Sequence, residues 1–391
     1  MRLRLLIFCL VLVSALGAQS ADTLYVLPSP QYMNPMYEAF SLNYLGVEAA
    51  GRGYTGTGLL GTAQGALLNP ASMMVDSARV FTELNIKPPI NAYGLIYQSR
   101  YSSPTPIGLF GLSFPIGQNL ATAITYSIPK SLVLDDFSIS INQGGDLVTR
   151  YPTYYLHQFS GSANFQVLDQ LNLGISLHNQ IHYLDDVIFL RTYDRLREYK
   201  YTLRVQPGIL YHTEGRSIGV SMIMPTKLDW DLRYAQYDIL LPLEASAGLS
   251  FTKDIYRFSS DFRYSQDSAI DDNYKDRYSV HLGAERRSGN KILRGGYFYK
   301  SNVWDGQVLL PENTIAHPDT SIFWDDVART LPVEDNSQHF ISIGLGYFFR
   351  DGSINLSALT AVASESKTTQ LNLSLSLYLS SFKRKDFLKF E

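Results

Sequence analysis

The chain has 391 residues with a formal net charge of −3; 45% are hydrophobic, 13% aromatic (27 of them tyrosine) and only 18% charged. That charged fraction is below the ~25% of ordinary soluble domains, and the absence of a basic excess gives no case for nucleic-acid binding. No stretch after the first residues approaches the ~18 consecutive apolar residues of a membrane-spanning helix. Low charge and abundant tyrosine without an apolar helix favour a membrane β-barrel over a soluble enzyme, although composition does not separate a barrel from a large secreted β-sandwich.

The chain opens on a secretory leader. Arg2 and Arg4 precede an apolar run from Leu5 to Leu12, and Ala15, Gly17, Ala18 and Ser20 supply small residues for cleavage. The expected leader is residues 1–21. Cys9, the one cysteine, lies inside its apolar run, so the mature chain is expected to have no disulfide and no thiolate metal site.

Residues 22–78 do not alternate. They hold Gly46, Gly51, Gly53, Gly56, Gly58, Gly61 and Gly65 among apolar residues such as Leu59, Leu60, Leu67, Leu68, Met73 and Met74. A solvated glycine-rich linker would not carry those apolar side chains, so the segment is expected to be a compact insert.

From about residue 79 the pattern has period two, as in strands with one apolar and one polar face. In one run Leu171, Leu173, Ile175, Leu177 and Ile181 alternate with Asn172, Ser176, His178, Gln180 and His182; in the last, Leu371 to Leu379 alternate with Asn372, Ser374, Ser376 and Ser380. Such runs predict fourteen strands, at 79–87, 106–115, 119–128, 153–167, 171–190, 199–212, 217–224, 240–251, 255–264, 277–286, 291–300, 338–349, 353–361 and 369–380. Connections after the even-numbered strands are short and the others mostly long, the longest being 301–337. Tight periplasmic turns alternating with longer external loops are the mark of an outer-membrane barrel, and an even count puts both ends in the periplasm. In hydrocarbon every backbone amide needs an internal partner, so a sheet spans only by closing on itself. The expected architecture is therefore an all-β, closed antiparallel transmembrane barrel at 79–380, in the outer membrane of a diderm bacterium, with an N-terminal lumen plug at 22–78 and a basic tail at 381–391. Tyr126, Tyr155, Tyr183, Tyr264, Tyr347 and Tyr378, near strand ends, suit interfacial girdles.

No catalytic motif stands out, and neither enzyme activity nor a cofactor is expected. His178 and His182 lie i and i+4 on one strand, about 13 Å apart, too far to share an ion, so no metal is expected; a phospholipase-like barrel is the enzymatic alternative. By parity Glu244, Arg257, Asp261, Arg263, His281, Glu285 and Arg294 point inward. Buried charges require partners, and these form either a ladder that holds the plug or, through Arg204, Arg263 or Arg294, a grip on a ligand carboxylate.

The run Gly46-Val47-Glu48-Ala49-Ala50-Gly51-Arg52-Gly53-Tyr54-Thr55-Gly56, followed by Asn69-Pro70-Ala71-Ser72-Met73 just before the first strand, resembles the FadL-type outer-membrane transporter superfamily. Tyr54-Thr55 stands where the family pattern has glycine-alanine, and Met73 where it commonly has leucine. The resemblance implies a fourteen-stranded barrel with an N-terminal hatch, whose motif residues here are Gly51, Gly53, Gly56, Asn69, Pro70 and Ala71. It also implies passive, hatch-gated uptake of hydrophobic or amphipathic small molecules, with a fatty acid-like ligand and outer-membrane lipid as partners. PorV-like proteins share this fold and the Asn-Pro-Ala motif, which leaves an accessory role in a type IX-like secretion system, with secretion proteins as partners, as the alternative.

Overall fold

The computed structural model describes residues 20–21, 41–61, 63–73, 77–93, 98–102, 107–135, 137–140, 147–150, 153–190, 192–232, 235–270, 274–303, 337–363 and 368–383. The leader apart from Ser20–Ala21, residues 22–40, 62 and 74–76 of the expected plug, the long loop from 304 to 336 and the end of the tail lie outside them.

Fourteen strands form the barrel, in chain order: β1 (Ser77–Ile86), β2 (Ile107–Ile116), β3 (Leu120–Asp135), β4 (Thr153–Leu168), β5 (Leu171–Leu190), β6 (Thr192–Thr213), β7 (Arg216–Ile223), β8 (Glu244–Lys253), β9 (Tyr256–Ser265), β10 (Arg277–Ser288), β11 (Lys291–Lys300), β12 (Gln338–Phe349), β13 (Gly352–Ala363) and β14 (Thr369–Lys383). Each pairs antiparallel with the next. β14 pairs with β1, which closes the ring and leaves no unpaired edge. All six short connections fall where the turn residues predict them. Gly117, Gly215 and Gly289 take positive φ in three of these turns, a conformation open to glycine without a Cβ penalty.

Parity sorts the wall as alternation requires. Leu173, Ile175, Leu177, Phe258, Phe262, Leu373 and Leu375 face outward and are exposed, whereas Asn172, Ser176, His178, Gln180, Asp261, Asn372 and Ser374 face inward and are buried. An exposed apolar exterior around a closed ring is a lipid-facing surface. Outward rings Tyr155, Tyr183 and Tyr199 form a cross-strand row at the external end, with centroids 6.4 and 4.8 Å apart. The outward residues Tyr201, Leu203, Ile209 and Tyr211 follow on β6. Tyr199 to Tyr211 spans roughly 30 Å along the barrel axis at the usual rise and tilt, the thickness of a hydrocarbon core.

The differences from the expected strands have local causes. β3 runs to Asp135, with a register shift between Ser127 and Lys130; Pro129, in that gap, has no N–H for the ladder. β5 and β6 pair from Leu171–Tyr211 to Leu190–Thr192, and Asp185 binds Arg195 and Arg197 across this external extension. The strand expected at 240–251 begins at Glu244, because Leu240 and Leu241 belong to a separate hairpin, Thr226–Leu232 paired with Ala235–Leu241. Pro242 ends that hairpin. Its residues Leu228, Trp230, Ile239 and Leu241 are buried, and Trp230 meets His182 of the inner wall edge-on, with centroids 6.4 Å apart.

Leu177, midway between the periplasmic turn and Tyr183, is the mid-membrane position on β5. Arginine there should cost about 2–4 kcal/mol of assembly stability and at Leu173, nearer the turn, about 0–1, measured by urea titration of refolded protein in vesicles. Ser176, which parity alone marks as tolerant, is fully buried against Ser162, at 2.7 Å between hydroxyls, so arginine there should also impair assembly.

Candidate functional site

Residues 41–61 and 63–73 lie inside the ring, held by inward side chains of the wall. At the external end Asn43 donates to Ile128 O at 2.7 Å, and the Tyr44 backbone exchanges hydrogen bonds with Gln370 at 3.1 and 2.9 Å. Gly46, at φ 88°, turns the chain into a short helix, α1 (Val47–Gly51). Glu83 accepts from the Gly46 N–H at 3.1 Å. After α1, Gly53 and Tyr54 both adopt left-handed φ, 66° and 60°. Tyr54 thus occupies, where the family pattern has glycine, a conformation that costs a non-glycine residue about 1–2 kcal/mol. Its ring offsets this by packing edge-on to Tyr44 at 5.1 Å and beneath the Arg263 guanidinium at 4.7 Å.

The segment then runs around the wall towards β1. Asp261 accepts from the N–H groups of Gly56 and Thr57 at 2.8 and 2.9 Å. His281 contacts Gly53 O through Nδ1 at 2.8 Å, and Arg263 donates to Tyr54 O. The Asn69 side chain accepts from Ala71 N–H at 3.0 Å, capping the turn Pro70–Ser72, and donates to Thr57 O at 2.8 Å and to Ile209 O of β6 at 3.2 Å. One amide thereby joins two parts of the segment to each other and to the wall. Asn69 is extended, at φ −153°, as a residue before proline should be.

Of the inward charges Arg257, Glu285 and Arg294 form one network with Arg52 and Glu48 of the segment, while Arg263 pairs separately with Asp261 at 3.4 Å. Glu285 receives Arg52 at 3.0 Å, Arg294 at 2.9 Å and Arg257 at 3.6 Å; Arg294 also donates to Asn355 at 2.9 Å and lies 3.6 Å from Glu48. Removing one partner from such a buried network costs about 3–5 kcal/mol. Arg204 stands apart from this group. It binds Glu244 at 2.8 Å and donates to Met224 O and Pro242 O, the residues that bracket the 226–241 hairpin, so it clips both ends of that hairpin to β6. His178 spends its ring nitrogens on Ser160 and Gln206, and His182 on Tyr154 and Thr202. Among the described residues no group is arranged to hold a metal ion.

Parity found the charges but not the feature that lets the segment sit against the wall. Gly174, Gly208, Gly219, Gly248, Gly283, Gly296 and Gly344 all face inward, one on each of β5, β6, β7, β8, β10, β11 and β12. Three pairs are cross-strand neighbours: Gly174 with Gly208, Gly219 with Gly248, and Gly283 with Gly296. A methyl group at any of the seven would come within 3.0 Å of residues 51–71 or of the Asp261 carboxylate that holds them. On β9 the belt position is Ser259, whose hydroxyl lies 2.6 Å from that of Thr55. Glu83, Asn164, Asn172, Gln206 and Ser342 also bond the segment; their inward parity was the available signal.

Between this belt and the hairpin lies a cavity of about 310 Å³. Tyr44, Tyr54, Leu67, Leu68, Ile239 and Leu241 form its apolar side, and His182, Gln180, Arg204 and Glu244 its polar side.

With this geometry in place, solved structures match closely in fold. A Pseudomonas aeruginosa FadL homologue superposes with a TM-score of 0.64 at 14% identity, covering 86% of this chain and 98% of its own. The chain has the fold of the FadL-type outer-membrane transporters. The toluene transporter TbuX of Ralstonia pickettii matches with a TM-score of 0.63 at 12% identity, over 85% of this chain and 98% of its own. The toluene transporter TodX of Pseudomonas putida gives 0.61 at 13%, over 86% and 98%. No protein-family model and no curated protein matches the sequence.

The glycine belt can be tested by side-chain bulk. Thr57→Cys should be shielded from a maleimide in the otherwise unchanged protein and labelled in Gly296→Val, which displaces the segment while leaving the lipid face intact. Gly161→Val, where nothing lies within 4 Å of the added carbon, should leave the introduced thiol shielded. Equal labelling of all three would refute the belt's role.

Proposed function

We propose that this chain is an outer-membrane channel for passive uptake of hydrophobic or amphipathic small molecules, with residues 22–78 acting as a hatch. The observation that carries the reading is the pairing of a lumen segment bonded to the wall on strands all around the ring with an amphipathic cavity on its external side. From Gly51 on, the segment rests on wall glycines in the periplasmic half of their strands. The cavity residues Lys130, Tyr154, His182 and Lys300 lie towards the external ends of their strands. A molecule from outside would therefore meet the Arg204-clipped hairpin first, the cavity next and the hatch last. At about 310 Å³ the cavity is at the small end of ligand pockets, which suits a single-ring aromatic or a short amphipathic chain. TbuX and TodX are toluene transporters, and their shared fold supports that ligand class here. The charge network and Asp261 hold the hatch in this reading, because their donors and acceptors already serve it.

Deletion of residues 22–65 should leave a folded barrel that conducts ions steadily in planar bilayers, while the intact protein stays nearly closed. Asp261→Ala, which removes two charge-assisted hydrogen bonds of about 1.5–3 kcal/mol each, should raise the frequency of opening. Toluene uptake into liposomes should be faster with the intact protein than with a Leu241→Arg variant, whose charge enters the cavity. Matching conductance of the deleted and intact proteins would remove the hatch assignment.

A further inference from the structure

A second concavity lies not in the lumen but on the lipid face. It measures about 820 Å³ and crosses β6 to β11. Two cross-strand rows of outward residues define it. The lower row pairs Arg216 with Phe251, Phe251 with Phe258, Phe258 with Ala284 and Ala284 with Gly295. The upper row runs Ile218, Leu249, Ser260, Leu282, Tyr297 by the same pairings. Bulky side chains form the rim, with Leu249, Phe251, Phe258 and Leu282 all exposed. Ser260, Ala284 and Gly295 form a floor with almost no side-chain volume.

The course of the groove is set by strand tilt. Rows run perpendicular to the strands, so in a barrel tilted by about 40° they climb through the membrane. Arg216 directly follows the periplasmic turn at 214–215, whereas Gly295 lies well up β11, beyond the turn at 289–290. Four strand spacings of ~4.8 Å make the row roughly 19 Å long, rising roughly 12 Å, most of one leaflet's half of a ~30 Å core. The groove thus starts at the periplasmic interface beside a guanidinium that lies 5.8 Å from the Phe251 ring, and it ends in hydrocarbon.

Charge agrees with that course. Lys253, Arg286 and Lys291 are also exposed and outward at the periplasmic ends of β8, β10 and β11. Glu214 and Asp254 sit beyond them, at the turn tips. Elsewhere around the wall the outward positions near the periplasmic turns include Ile116, Phe165, Leu168 and Ile354.

We propose that this groove binds one glycerophospholipid of the periplasmic leaflet, its phosphate at Arg216 and one acyl chain laid along the row from Phe251 to Gly295. A narrow apolar channel with a cation at its interfacial end fits a molecule with one anionic head and a flexible chain. The site is independent of the uptake proposed for the lumen.

Native mass spectrometry of the full chain, with palmitoyl-oleoyl phosphatidylglycerol added in detergent, tests this. One lipid should stay bound per chain. A double variant, Ala284→Leu with Gly295→Leu, fills the floor, and a Cβ at Gly295 meets nothing closer than 4.0 Å; retention should fall at least about tenfold. Arg216→Gln, at an exposed position, should lower retention about tenfold while heat-modifiable gel mobility shows the barrel intact. Ile116→Phe, on the opposite wall, should change nothing. Equal retention in the parent and either groove variant overturns the proposal. So does a parent dimer that the filled groove converts to monomer, which would assign the groove to a second copy.

Discussion

Everything inside this barrel depends on how closely one backbone can approach another. Residues 51–71 lie against the wall at glycines, so main chain meets main chain with no side-chain layer between. That contact brings N–H and C=O groups of the segment within reach of short inward side chains such as Asp261, Asn172, Asn164 and Ser342. With a Cβ at each belt position the segment would stand off from the wall, and those polar groups would be buried without partners, at about 1–3 kcal/mol each. Glycine in a strand normally weakens it. Here the same residues permit the close approach.

The charges answer a second constraint. A lumen packed with protein excludes most water, so each inward ion needs a counter-ion or a fixed dipole. Glu285 neutralises arginines from both the segment and the wall, and Asp261 serves two backbone N–H groups at once. Arg204 is spent on the ends of the external hairpin. Charge therefore fastens two pieces to the wall, the inner segment and the hairpin, on either side of the cavity. An arrangement whose partners are polar can exchange them for water, which an apolar core cannot do.

The sequence by itself determined the wall. Alternation, turn residues and the pre-proline geometry of Asn69 are properties of near neighbours, and they located fourteen strands, six tight turns and the inward parity of every candidate charge. Its resemblance to the FadL-type motif also marked Gly51, Gly53 and Asn69. Even its misplaced strand start at 240 had a local marker in Pro242. Tertiary structure alone decided what each inward residue faces. Asp261 meets Gly56 from 205 positions away, and Tyr44 meets Gln370 from 326. The wall glycines read as ordinary strand residues until the segment lies against them. Likewise Arg216, Ala284 and Gly295 join one groove only through cross-strand register. Periodicity states which face of a strand a residue occupies. Ring closure and register place distant residues at the same height, and a one-dimensional pattern carries no record of height.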